Sequence, residues 1–203
     1  GLGIAVKSAT VFPGNPAKGA PMINGGLNLY DNDAGTLSAI VDFHLVTKWK
    51  TAGDSLLAAR RLARPDSRNP GLTLTDDLEG AVGAADIITS ATMSSTPVIK
   101  GKWLRPGQHV DLIGAYRPDM READDTALTR ARIFVDSFDT TVGHIGEIAI
   151  PLADGAIRRE ALIADYYTLG VFTRTSEDEI TLFKNGGGAH LDLMTARYIL
   201  DRW

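Results

Sequence analysis

The sequence contains no cysteine. That excludes disulfides, thiolate metal sites and cysteine nucleophiles together. Long apolar runs are missing too, so no segment is expected to cross a membrane as a helix. No charged start followed by an apolar stretch and a small-residue cleavage site marks export. Positive charge is not in excess: 21 Lys and Arg face 25 Asp and Glu, for a net charge of −4. A mildly acidic chain without a basic block has no electrostatic footprint for nucleic acid. His44, His109, His144 and His190 show no metal-ligand spacing, so no metal site is expected. There is no nucleophile elbow of the form G-x-S-x-G and no P-loop. No G-x-G-x-x-G links a strand to a helix, as a dinucleotide fold should show. These absences leave a soluble, cytoplasmic protein without nucleic-acid or membrane partners as the expectation. What is present is ordinary for a globular chain: 44% hydrophobic and 23% charged residues, close to average. The 203 residues suit one domain, or a small domain with a satellite lobe. Glycine alone stands out, with 21 residues, and hints at turns where backbone approaches something closely.

The pattern changes along the chain. Val6–Phe12 reads as a strand ending in Pro13-Gly14-Asn15-Pro16. Ile23–Asp31 and Thr36–Phe43 read as a hairpin with a longer loop. From His44 to Ala63 the period becomes helical, with Leu45, Trp49, Ala52, Leu56, Ala59 and Ala63 at three- and four-residue steps; Arg64-Pro65-Asp66 ends it. Leu72–Leu74 reads as a brief strand. Asp76-Asp77-Leu78-Glu79 has capping-box spacing and opens a short helix. Asp86–Ser90, Val110–Gly114, Ile133–Asp136 and Glu179–Phe183 read as strands. Ala123–Arg130 and Ala189–Trp203 read as helices. These strands are apolar runs alternating with helices, which predicts a parallel sheet covered on both faces.

In such a sheet ligands lie beyond the carboxyl ends of the strands. Three ends carry small or polar residues: Ser90-Ala91-Thr92-Met93-Ser94-Ser95, Gly114-Ala115-Tyr116-Arg117-Pro118-Asp119, and Asp136-Ser137. Ordinary surface loops are the alternative reading. Lys184-Asn185-Gly186-Gly187-Gly188 precedes the last helix. Its glycines can bring backbone N–H groups to a ligand, or form a plain hinge. Lys7, Lys48 and Lys50 are cations near elements that read as packed. Lys50, in Trp49-Lys50-Thr51-Ala52, could bind a substrate carboxylate as a point charge, or snorkel to solvent.

Taken together these segments resemble the ornithine cyclodeaminase/mu-crystallin family. Lys7 with Thr10-Val11-Phe12-Pro13-Gly14-Asn15 matches, as do Thr47-Lys48-Trp49-Lys50-Thr51-Ala52 and Leu62-Ala63-Arg64-Pro65-Asp66-Ser67. Further matches are Ala85-Asp86-Ile87-Ile88-Thr89-Ser90-Ala91-Thr92, Leu104-Arg105-Pro106-Gly107, Gly114-Ala115, Arg121-Glu122-Ala123-Asp124, Gly146-Glu147-Ile148 and Thr181-Leu182-Phe183-Lys184. Each is weak alone; their common order runs nearly end to end. The resemblance implies a Rossmann-like nucleotide-binding domain over 54–182 and an α+β substrate and dimerisation lobe from 1–53 and 183–203. It implies bound NAD(H) or NADP(H) and a homodimer. Lys7 and Lys50 would be catalytic, and with Thr51 and Gly187 would hold substrate. Ser90, Ala91, Thr92, Gly114, Ala115, Tyr116, Asp136, Lys184, Asn185 and Gly186 would line the cofactor.

Two departures qualify this. The family's glycine-rich pyrophosphate loop belongs just after Arg64-Pro65-Asp66-Ser67-Arg68, yet the chain runs directly to Asn69-Pro70-Gly71-Leu72. A strand–loop–helix–strand of roughly 30 residues or more is expected to be missing near 68–71, and sequence before Gly1 as well. Second, the ornithine-deaminating enzymes resemble one another in an aspartate two residues after the glycine matching Gly114; here Tyr116 stands there. The arginine usual in Thr-x-x-Arg-Thr is Lys50. Together with Arg117-Pro118-Asp119-Met120-Arg121-Glu122 this is similar to the ketimine reductase branch, in particular Δ1-pyrroline-2-carboxylate reductases. The implied activity is NAD(P)H-dependent reduction of a small cyclic imino acid to L-proline or L-pipecolate. Ornithine cyclodeaminase, alanine dehydrogenase and a non-catalytic crystallin-like binding protein stay open as alternatives.

Overall fold

The computed structural model describes residues 2–68 and 74–203. The strand expected at Leu72–Leu74 lies outside the described residues except for Leu74, which is exposed coil. The chain divides into two units: residues 1–53 with 189–203, and residues 54–188.

The first unit is a three-stranded antiparallel sheet, β1 (Ile4–Val11), β2 (Ile23–Tyr30) and β3 (Leu37–Asp42), in the order β1-β2-β3. Asp31 forms the turn after β2 by accepting from the backbone of Asp33, Ala34 and Thr36. Period-two alternation puts Leu27 and Leu29 of β2 and Val41 of β3 on one face, fully or nearly fully buried. They pack with Val46 and Ala196, which lie on α1 (Phe43–Leu62) and the closing helix Ala189–Leu200. The opposite sheet face is exposed at Ile4, Val6 and Ile40, the last 72% accessible.

The helix expected from His44 to Ala63 is α1, but the residues that marked its period are mostly not the ones it buries. Leu45, Trp49, Ala52 and Leu56 are exposed, and the buried stripe is Phe43, Val46, Lys50, Asp54, Ala58 and Leu62. Both stripes have helical period, so periodicity alone could not say which one this chain covers itself.

The second unit holds a five-stranded sheet, parallel throughout. Its strands are β4 (Ile87–Ser90), β5 (His109–Leu112), β6 (Ala131–Val135), β7 (Leu162–Ala164) and β8 (Ile180–Lys184), in the order β4-β5-β8-β6-β7. Because β8 lies between β5 and β6, the sequence reading that gave 183–203 to the first lobe differs from the structure: 183–188 go with the sheet. On one face Val110, Leu112, Ile133 and Leu182 pack with α2 (Leu78–Ala84), α3 (Asp125–Arg130) and α5 (Gly146–Ala153). On the other, Phe134 and Phe183 pack with Ala58, Leu62 and Phe172. A four-residue helix, α4 (Phe138–Thr141), follows β6, and α6 denotes the closing helix. The cap of α2 is Asp77 accepting from Gly80 N; the expected box from Asp76 to Glu79 does not form. His109 is fully buried and its Nδ1 sits 2.9 Å from Thr181 Oγ1. Burial pulls its pKa down to about 3, so it is a neutral structural group.

The β4 edge is unusual. Ile88 and Ser90 are buried, but Ile87 and Thr89, on the other face, are exposed. Parallel sheets are normally covered on both sides. Among the described residues no helix in the chain is long and apolar enough to cross a membrane.

Candidate functional site

Lys7 lies on the inward face of β1, opposite Leu27 of β2. Its Nζ donates to Asp192 Oδ1 at 2.8 Å and stands 4.8 Å from the centroid of the Phe43 ring. Asp192, in the first turn of α6, is itself buried. Lys50 is 8% accessible and shares the buried stripe of α1 with Phe43. Seven residues separate them, or about 10 Å of helix. The first unit thus joins Lys7, Asp192 and Phe43 in one cluster, with Lys50 about two turns further along α1. Thr51, next to Lys50 in the sequence, is half-buried. Lys48 is exposed and lies over Trp49. Asp192 was not legible as a partner, because nothing in its spacing links it to Lys7, 185 residues away.

In the second unit the loops that leave β4 and β5 meet. A Cβ on Gly114 would run into the backbone N and O of Thr92, so only glycine permits this approach. Beneath the junction Glu122, fully buried, accepts through Oε1 from Ser90 Oγ (2.7 Å), Thr92 N (2.6 Å) and Thr92 Oγ1 (3.0 Å). Through Oε2 it accepts from Gly114 N (2.6 Å) and Ala115 N (3.1 Å). Glu147, also fully buried, accepts from the backbone N of Glu122 and Ala123. Burial raises the Glu147 carboxyl above its usual range. Neither glutamate was singled out from sequence, although each sits in a segment of the resemblance.

Lys184, expected to line a cofactor, is instead turned inward. It is fully buried and donates to Leu112 O and Asn185 O, and burial lowers its pKa. Asp136 is likewise occupied internally, accepting from Ser137 N, Thr141 Oγ1 and Gly188 N. Both shape the loops from within. Gly186 packs on Thr141 and Asp136 with no room for a Cβ. Gly187 takes a left-handed φ of 71° and donates to Asn185 Oδ1. Ala91 and Tyr116 are exposed, whereas Ser90 and Ala115 are buried.

Asn185 Nδ2, buried at this end of the sheet, has no hydrogen-bond partner among the described residues. An orphaned amide donor beside a glycine-rich backbone fits the amide and ribose oxygens of a nicotinamide nucleotide. The pyrophosphate half finds no comparable fit: in the glycine-rich turn between β8 and α6 the N–H groups of Gly187 and Gly188 already donate to Asn185 Oδ1 and Asp136 Oδ2, so they are not open to cradle it. The place where that turn was expected, 68–71, lies outside the described residues from Asn69 on.

Asp111 gives a pH test of this buried end. Burial pushes its carboxyl from 3.8 up to about 6, only partly offset by Ser55 and Lys184. The folded state keeps this proton where an unfolded aspartate has lost it. Stability therefore falls as pH rises from about 4 to about 6, and the penalty persists above. Asp111→Asn, neutral throughout, is expected to raise Tm more at pH 8 than at pH 4.5; equal shifts in thermal melts would contradict this.

A model of the ornithine cyclodeaminase/mu-crystallin family matches residues 3–74 and 71–203. A Δ1-pyrroline-2-carboxylate reductase of Paracoccus denitrificans is 48% identical over 250 residues, covering 98% of this chain and 79% of the relative. The structure of Thermococcus litoralis Δ1-pyrroline-2-carboxylate reductase in complex with NADH and L-proline superposes with a TM-score of 0.88 at 26% identity, covering 96% of this chain and 76% of that one. An archaeal alanine dehydrogenase dimer with bound NAD gives 0.87 at 25% identity, with 97% and 76% covered. Ordered sequence, parallel sheet and leading antiparallel lobe all agree, and the chain belongs to the ornithine cyclodeaminase/mu-crystallin family.

Proposed function

We propose that this protein reduces the C=N bond of a small cyclic imino acid, Δ1-pyrroline-2-carboxylate or Δ1-piperideine-2-carboxylate, at the expense of NADH or NADPH. The observation that carries the reading is 48% identity to a Δ1-pyrroline-2-carboxylate reductase across 98% of the chain. A solved reductase of that name, with NADH and L-proline bound, supports it. Tyr116 supports it against ornithine deamination, since the aspartate of the deaminating enzymes is replaced there.

In this reading Lys7 and Lys50 hold the substrate carboxylate. The ion pair to Asp192 uses one of the three N–H bonds of Lys7 and fixes where the ammonium points. Fixed cations orient the ring before reaction, and orientation is much of what an enzyme supplies. The loops after β4, β5 and β8 hold the nicotinamide end through Thr92, Gly114, Asn185 and Gly186. A reduced nicotinamide, when bound, delivers the reducing equivalents to the imine carbon. The test is NAD(P)H oxidation with each imino acid. Release of ammonia and proline from ornithine without added reductant would instead establish the lyase.

The chain further reads as lacking a segment between Arg68 and Leu74. Aligned over 250 residues with only 203 of its own, it leaves at least 47 positions of the relative without a counterpart. The family match breaks at 71–74, and β4, with its uncovered face, is the first strand after that point, beyond α2.

A homodimer completes the reading. The outer face of the first unit's sheet leaves Ile4, Val6 and Ile40 in solvent, the kind of patch that a partner covers, and the archaeal relative is a dimer. Replacing Val6 and Ile40 together by Glu should convert a dimer into monomer by light scattering. A mass unchanged by the double variant would remove this face from the interface.

A further inference from the structure

We propose that Glu122 is a positioning residue for the nicotinamide end of the cofactor, acting through the two loops that it clasps. The inference rests on the reading of those loops given above. Its basis is a single buried carboxyl group with five donors drawn from two different strand exits. Three come from Ser90, the last residue of β4, and Thr92 just after it, and two from Gly114 and Ala115 after β5. Loops of this kind ordinarily meet solvent and move. Here their N–H groups are drawn down onto one side chain, and Gly114 closes the gap to Thr92 backbone to backbone. The two loops therefore behave as one platform. Glu147 holds the clasp from below, because its carboxyl accepts from the N–H of Glu122 itself and of Ala123. Glu122 does not reach the platform's outer surface, being fully buried. It acts on a ligand only through the loops.

Glu122→Gln keeps the shape but turns one acceptor into a donor that faces N–H groups, so one of the two loops must let go. Two readouts are needed. The first is amide hydrogen exchange in the ligand-free protein: Thr92, Gly114 and Ala115 are expected to exchange at least 30-fold faster in the variant, with the β5 and β8 amides unchanged. The second is the dissociation constant for reduced nicotinamide mononucleotide, followed by its fluorescence and expected to rise tenfold or more. In turnover the cofactor KM should rise with it, while the imino-acid KM changes less than threefold. If Glu122→Gln does not fold, Ser90→Ala removes one donor from the clasp and should give the same pattern at two- to fourfold. Faster exchange with unchanged nucleotide affinity would overturn the positioning role. Unchanged exchange would overturn the clasp. A wild-type protein that binds the mononucleotide but reduces neither imino acid would sink the proposed reaction and leave the clasp to be judged by exchange and affinity.

Discussion

Lys50→Met is expected to cut kcat/KM for the cyclic imino acid by tenfold or more, while thermal melts show a folded protein. Methionine matches lysine in length and suits the buried stripe of α1 in which Lys50 lies, so the change removes charge with little change of volume. The carboxylate would lose one of two fixed cations. A factor of ten corresponds to about 1.4 kcal/mol of transition-state stabilisation, close to the lower end of what a hydrogen bond to a charged group contributes. The loss should appear in kcat/KM for the imino acid and not in the KM for the cofactor. Unchanged kinetics would remove Lys50 from the site and leave the Lys7–Asp192 pair to act alone.

The second large effect concerns the dinucleotide. As it stands the chain should bind NADH no more than about threefold tighter than reduced nicotinamide mononucleotide, because the glycine-rich turn expected near 68–71 is missing from the sequence and the turn before α6 spends its Gly187 and Gly188 N–H groups within the chain. An open glycine-rich helix N-terminus offers backbone N–H groups and the positive end of a helix dipole to the pyrophosphate. Inserting between Arg68 and Leu74 the segment that the Paracoccus relative carries should restore the preference to a hundredfold or more, about 2.7 kcal/mol. The exposed Ile87 and Thr89 of β4 should become protected in the same chimera. A strong preference for NADH in the unmodified chain would show that other residues hold the pyrophosphate.

The sequence disclosed the strands and long helices because their signals are local. Apolar runs marked β4, β5, β6 and β8, and the change to helical period marked α1. What it hid was of three kinds. Short or interrupted elements carried too little pattern: β7 has three residues, and α5 has Gly146 at its start and Pro151 inside. The facing of α1 was ambiguous because both of its stripes are apolar in part, and the buried one contains Lys50 and Asp54. Most important for function, the contacts that organise the site are long-range. Lys7 meets Asp192 across the chain, and Glu122 gathers donors from Ser90 and Thr92 some 30 residues upstream. No spacing rule marks such pairs. Segments at strand ends were expected to face the cofactor because loops there are where ligands lie, yet two of their members, Asp136 and Lys184, are internal braces.

The most direct measurement supplies Δ1-pyrroline-2-carboxylate with NADH carrying deuterium at both C4 positions of the nicotinamide and reads the product by mass spectrometry and NMR. The account predicts L-proline bearing one deuterium at Cα, formed in proportion to the NADH consumed. Proline without label, or proline appearing only from ornithine with release of ammonia, would contradict it.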